Sequence, residues 1–452
     1  MLPLSDILPY DFDPLEALRR WPADRPVALL HSGRLHPTWA RYSLIAEPVA
    51  ALVHDHGRST WAGPAPRGAP ELRHDALTDF DAVVAADPAI YIGHLGYDLA
   101  RAVERLPNAA QDDHGTPTLR FERCPHALLY DHHLNRWHAV GPDPAALPDL
   151  SQPATPDLRF TATAPTPDRP RAEHEAAVRR GLEYIAAGDV FQVNLAQRFT
   201  AEFKGSTRGL FLQLAAASPA WYGAYLEPFT ADGRPAPHAV CSTSPELFLQ
   251  LDADGTVTTR PIKGTRPAAS DPNELRDAEK DTAELNMIID LLRNDLGRVC
   301  GYGSVRVTQP RTVESHPTVH HGVATVAGRL HPSRALRHLL RATFPGGSIT
   351  GAPKVRAMQI IEELEPVRRG VYCGAIGFAT SLGGTTTARL NIAIRTLLVD
   401  RATGRLHFSV GGGIVADSDP ADEYEETLHK AAALVAALRA GEPSAAVAEP
   451  GA

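Results

Sequence analysis

Strand-like and helix-like stretches follow one another along this chain without regular alternation, an order that favours an α+β sandwich over a doubly wound parallel sheet. Apolar runs at residues 27–31 and 89–93 read as short strands between turns. Later runs at 240–251, with Ser244-Pro245 in the middle, and at 256–260 and 406–410 also read as strands. Helical spacing marks residues 172–187, 274–299 and 421–440. Between Gly141 and Arg171 stand Pro142, Pro144, Pro148, Pro153, Pro156, Pro165, Pro167 and Pro170. A helix cannot run through such a stretch, and a central strand would be interrupted. Residues 141–171 are therefore expected to form a surface connection between a strand-rich subdomain at 1–140 and a larger domain at 172–440, with a flexible tail at 441–452. No repeat of fixed period is present.

A chain of 452 residues that is 43% apolar can bury a large core. Its net charge is -8 and its basic residues are scattered, which argues against a nucleic-acid groove. Cys124, Cys241, Cys300 and Cys373 lie far apart, with neither a zinc spacing nor a disulfide framework. The start of the sequence has no secretory pattern, and no apolar run of about 18 residues occurs. A cytoplasmic protein without a membrane span is the expectation.

The chemistry concentrates around Pro261-Ile262-Lys263-Gly264-Thr265-Arg266. A lysine amine attacks carbon only when unprotonated, and although a lysine taken alone is ordinarily a solvated surface charge, Lys263, between a rigid ring and an unhindered Gly-Thr step, is the leading candidate nucleophile. In the 274–299 helix, Glu284 falls on the apolar stripe, where a carboxylate is costly unless paired or bound to a cation. Glu423 and Glu426 share one side of the last helix, and Lys430 follows one turn later. Carboxylate donors without His or Cys suit Mg²⁺. Gly411-Gly412-Gly413 lets an anion approach backbone N–H groups, although a tight turn would also use such a run. Arg395 interrupts an apolar strand with a cation able to fork onto a carboxylate, or to form a structural ion pair. Glu246, between Ser244-Pro245 and Leu247-Phe248, sits where burial would keep a proton on it near neutrality, as a general acid requires.

Separate blocks of this chain resemble the chorismate-utilising enzymes, which include anthranilate, isochorismate, salicylate and aminodeoxychorismate synthases. The blocks are Phe191 to Arg198, Ser244-Pro245-Glu246, Pro261 to Arg266, Asp290 to Val299, His320-His321, Phe344 to Lys354 and Gly411 to Ser418. The resemblance implies two apposed antiparallel sheets flanked by helices, as in anthranilate synthase component I, with the chorismate site within residues 172–440. At the position of Lys263 anthranilate synthases typically carry Ala, and the lysine form is similar to the aminodeoxychorismate synthase branch. In that branch the lysine attacks the ring as the 4-hydroxyl leaves, and ammonia later displaces it.

Carried over residue by residue, the resemblance makes Lys263 the nucleophile, Glu246 the acid and His321 a proton-carrying group near the ring. It makes Glu284 and Glu426 ligands of Mg²⁺, with Asp281 and Glu423 beside them. Thr265, Tyr372, Arg395, Gly411, Gly413 and Lys430 become the chorismate-binding set. His316 and His320 read as ordinary polar residues. No glutaminase cysteine is recognisable, so ammonia is expected from a separate glutamine amidotransferase subunit. The alternatives are anthranilate synthase component I and a non-catalytic chorismate-binding protein. Ser32-Gly33 and Arg41-Tyr42-Ser43 match a region that forms a tryptophan pocket in relatives, which makes Ser32 a candidate pocket residue. Gly346 to Lys354 only superficially suggests a phosphate loop, because Lys354 does not directly follow the last glycine.

Overall fold

A computed structural model describes residues 7–439 except 37, 144–145, 153–155, 231 and 316–318. The tail at 441–452 and His316 therefore lie outside the described residues. Two large sheets make the frame, one of 13 strands and one of 11 among the described residues, and neighbouring strands pair antiparallel. The larger sheet centres on Val27–His31, Tyr222–Glu227, His238–Ser244, Thr396–Asp400, Arg405–Ile414 and Gln192–Gly205. The smaller sheet runs from Ile262–Pro267 through Val319–Arg329, Thr256–Arg260, Leu247–Leu251, Thr387–Ile392 and Ala375–Thr380 to Ile90–Leu95.

The strand sequences show why the layers form. In Thr396–Asp400, Leu397 and Val399 point into a core shared with helices Thr207–Ala217 and Pro420–Arg439, while Leu398 points into the core between the sheets. Tyr225 and its neighbours Ala224 and Leu226 divide in the same way. Both faces of these strands are buried, so their sequences read as continuous apolar runs without polar alternation. On the other side, Tyr91 and Leu95 pack in the cluster containing Leu285, Ile289 and Leu339, from helices Glu279–Gly297 and Leu336–Thr343, while Ile90 and Ile92 face the inter-sheet core. The result is a sheet-on-sheet α+β sandwich with helices on its outer faces.

Three expectations change in detail. The run at 240–251 is two strands, His238–Ser244 in one sheet and Leu247–Leu251 in the other, because Pro245 ends the first ladder and the chain crosses between layers there. The helix at 274–299 is broken at Asp277-Ala278 into Pro272–Arg276 and Glu279–Gly297. Part of the proline-rich connection joins a sheet, since Phe160–Ala162 and Thr166–Pro167 pair with Gln192–Gly205. Strands from residues 7–140 also pair with later ones in both sheets: Val27–His31 with Tyr222–Glu227, and Ile90–Leu95 with Ala375–Thr380.

Candidate active site

Two crossings between the sheets lie side by side and carry Glu246 and Arg395. The first links His238–Ser244 to Leu247–Leu251, and the second links Thr387–Ile392 to Thr396–Asp400. They are joined directly: Ile392 N donates to Glu246 O at 3.0 Å, Thr243 N to Arg395 O at 3.0 Å, and Ser244 Oγ to Ile392 O at 2.5 Å. Arg395 takes a left-handed φ of 50° at its crossing, a conformation that costs energy in a non-glycine residue and is held by these bonds. Its guanidinium is half-buried and has no carboxylate partner among the described residues, so it does not form the structural ion pair. Burial, with Arg34 nearby, lowers its pKa to about 10. Tyr372 is buried beside the same crossing: its neighbour Cys373 N donates to Ala393 O at 2.9 Å, and burial raises the phenol well above its usual range.

Glu246 is 5% exposed. Its carboxyl accepts a hydrogen bond from Ser348 Oγ at 2.5 Å. Burial raises its pKa to about 7, against the opposing pull of Ser348, Lys263 and the Ile262 N–H. The proton is thus available near neutrality, as anticipated from its apolar neighbours.

Lys263 projects from strand Ile262–Pro267 and is 14% exposed, with Nζ 4.0 Å from Glu284 Oε2 on helix Glu279–Gly297. Gly264 makes this approach of strand and helix possible. It has φ of 80°, and a Cβ there would stand 2.6 Å from Leu275 Cδ1 and 2.8 Å from Asp281 Cγ. Asp281 itself pairs with Arg266 at 3.0 Å. His321 is buried on the neighbouring strand, with Nδ1 2.9 Å from Thr265 Oγ1. Gly322 is required by packing, since a Cβ would lie 2.5 Å from Lys263 O. His320 points elsewhere and contacts Ser315 and the Ala268 carbonyl.

The glycine run continues strand Arg405–Ile414 instead of making a tight turn. A Cβ on Gly413 would stand 1.9 Å from Gln192 Nε2 and 3.4 Å from Lys263 Nζ, so this bare backbone faces the amine directly. A Cβ on Gly412 would lie 2.7 Å from Glu423 Oε2 and 3.4 Å from Glu426 Oε1, so two carboxylates converge on that point. Gly411 packs against the Leu195 carbonyl, and its own carbonyl accepts from Lys430 Nζ at 2.9 Å.

Lys430 also pairs with Glu426 at 2.6 Å. Burial works to raise Glu426, but Lys430, Lys263 and Lys280 outweigh it and leave the carboxyl below its ordinary value. Burial raises Glu284 and Glu423, the latter despite a 2.6 Å hydrogen bond from Ser418. Among the described residues no three acidic, histidine or cysteine side chains are drawn together as a ready metal centre. The pair over Gly412 and the separate Glu284 do fit a cation that takes one or two carboxylates and fills its remaining positions with water and substrate oxygens.

A cavity of about 430 Å³ lies apart from this group, between the sheets, lined by Ser32, Trp39, Arg41, Trp221 and Asn391 among others. Ser32 is buried there, and its hydroxyl donates to Tyr42 O at 2.8 Å. Gln192 and Ser348 lie inside the blocks Phe191 to Arg198 and Phe344 to Lys354, and nothing in the sequence assigns either a role. Neither residue type announces chemistry alone: strand pairing brings Gln192 to Gly413 near Lys263, and the packing of the Gly347–Ile349 turn brings Ser348 to Glu246. Among the described residues no helix is long and apolar enough to cross a membrane.

The sequence pattern described as chorismate binding enzyme matches residues 28–436. The chain is 40% identical over 448 residues to aminodeoxychorismate synthase component 1 of Klebsiella aerogenes, covering 94% of this chain and 95% of that one. It is 39% identical to anthranilate synthase component 1 of Streptomyces coelicolor, over 78% of this chain and 73% of that one. In three dimensions it resembles anthranilate synthase component I from Streptococcus pneumoniae, with a TM-score of 0.76, 30% identity, and coverage of 95% and 99% of the two chains.

Proposed function

The chain belongs to the family of chorismate binding enzymes, and from that premise we propose that it aminates chorismate to 4-amino-4-deoxychorismate. The observation that carries this reading is the placement of the Lys263 amine against the bare backbone of Gly413, near a buried acid, Glu246, that holds its proton to about pH 7. Arg395, with no acidic partner among the described residues, and Tyr372 receive the enolpyruvyl carboxylate. Glu284 and Glu426, with Asp281 and Glu423 close by, would hold Mg²⁺, which when bound supplies positive charge to neutralise and orient the ring carboxylate.

Lys263 attacks the ring with an allylic shift while Glu246 protonates the departing hydroxyl, which leaves as water. Ammonia then attacks the former hydroxyl carbon and expels the lysine amine. His321, oriented by Thr265, moves protons beside the ring. Relatives named component 1 imply a second component, and a glutamine amidotransferase subunit delivering ammonia fits that role. A cytoplasmic setting accords with this partnership.

A second reading is favoured by the near-equal identity to an anthranilate synthase: release of anthranilate and pyruvate. Incubating the purified chain with chorismate, Mg²⁺ and ammonium, and weighing the products by mass, separates the two. A product that keeps the enolpyruvyl group and carries an amine supports the amination, while anthranilate and pyruvate overturn it. Lys263→Ala is expected to lose most amination, and unchanged turnover would exclude the covalent route.

A further inference from the structure

The buried turn Gly347–Ile349 meets Glu246 through one side chain. Ser348 is 7% exposed, and its hydroxyl donates to Glu246 Oε1 at 2.5 Å. The turn is fixed by two outside contacts and one bond of its own. A Cβ on Gly347 would stand 2.7 Å from Leu291 Cδ2, so the turn rests directly on helix Glu279–Gly297. Arg369 Nη1 donates to Ile349 O at 2.9 Å, and Thr350 Oγ1 to Gly346 O at 3.0 Å. The Glu246 backbone is held in turn by Ile392 N at 3.0 Å. Donor and acceptor are therefore both immobilised.

The two oxygens of a protonated carboxyl differ: one accepts, and the other carries the hydrogen. A fixed hydroxyl donor at Oε1 reserves that oxygen as the acceptor, which leaves Oε2 to carry the proton. We propose that Ser348 is a positioning residue for proton donation, holding Oε1 of Glu246 so that Oε2 delivers the proton to the leaving hydroxyl. The proposal rests on the amination reading for the identity of that hydroxyl. In the step, the Oε2–H bond breaks and the proton passes to the hydroxyl oxygen as the ring C–O bond cleaves with its electron pair. Water departs, and Glu246 is left as a carboxylate. The Ser348 bond strengthens at that moment, because it becomes charge-assisted.

The charged and titratable groups facing Glu246 are Lys263, on strand Ile262–Pro267, and Cys373, beside the second crossing. Removing Ser348 leaves Lys263 and the Ile262 N–H to oppose burial alone, so Glu246 should hold its proton to higher pH. In Ser348→Ala the alkaline limb of kcat is expected to rise by about one pH unit. The plateau should fall roughly tenfold through loss of orientation while KM for chorismate stays constant, and Ser348→Thr should restore both. An unmoved limb and plateau in the alanine variant would overturn the assignment. If that variant fails to fold, Ser348→Cys, close in size and a weak donor, carries the same expectation.

A second measurement needs no turnover. In the full chain labelled with ¹³C-carboxyl glutamate, the resonance lost in Glu246→Gln should titrate at higher pH in Ser348→Ala than in the wild type, and equal titration would refute the proposal. A wild-type chain that makes no aminated product but shows this shift would refute the amination reading alone.

Discussion

Gly413→Ala tests whether the bare strand beside Lys263 serves the chemistry. The backbone at 413 is not in the left-handed region, so alanine brings no torsional strain. Its methyl would stand 1.9 Å from Gln192 Nε2, against an ordinary contact of about 3.5 Å, so the amide must move by roughly 1.5 Å. It cannot move freely past Lys263, whose Nζ is already 3.4 Å from the same point. A misplacement of about 1 Å in a reacting constellation costs on the order of 100-fold, or about 2.7 kcal/mol of transition-state stabilisation. The clash is with the end of a side chain, so the fold should lose only about 1–3 kcal/mol to overpacking. Gly411→Ala differs, since its methyl would meet the Leu195 carbonyl at 2.5 Å and push on backbone. Amination kinetics and thermal melting on both variants should show Gly413→Ala folded and crippled, and Gly411→Ala markedly less stable. Activity in Gly413→Ala within threefold of wild type would refute the reasoning.

Glu246→Gln should abolish most turnover and yet stabilise the protein in alkali. Native Glu246 keeps its proton to about pH 7 against an ordinary value of 4.5, so stability is full below about 4.5 and is lost as pH rises through 7. The shift corresponds to roughly 3 kcal/mol, so the variant should melt above wild type at alkaline pH and level with it in acid. A Glu246→Gln chain that melts below wild type in alkali would contradict the buried-acid assignment. Removing divalent ions with a chelator should stop amination and Mg²⁺ should restore it, with Glu426→Gln raising the Mg²⁺ concentration needed; full activity in chelator would remove the metal from the mechanism.

Much of the site was legible because side-chain type and local context coincide with chemistry. Glu246 between Ser244-Pro245 and Leu247-Phe248 reads from the sequence as a buried carboxyl, whereas Lys263 stands out only through the family block around it, because a lysine by itself is ordinarily a solvated surface charge. Ser348 does not stand out, because a serine in a glycine-rich loop has many local uses and acquires this one only opposite Glu246, 102 residues away. Gly412 and Gly413 were legible as permissive backbone, but not as the surfaces on which Glu423, Glu426 and Lys263 converge.

By itself the sequence determined which segments are apolar enough to become strands, and which residue types can attack, donate a proton or hold a cation. These follow from local sterics and from the pattern of apolar residues. The tertiary structure alone decided that the crossings at Glu246 and Arg395 lie side by side and that helix Glu279–Gly297 reaches Lys263. It also decided that Ser348 faces the acid. Those neighbours are brought together by strand pairing and layer packing between distant segments, whose free energy depends on the whole sandwich and is written in no single stretch of chain.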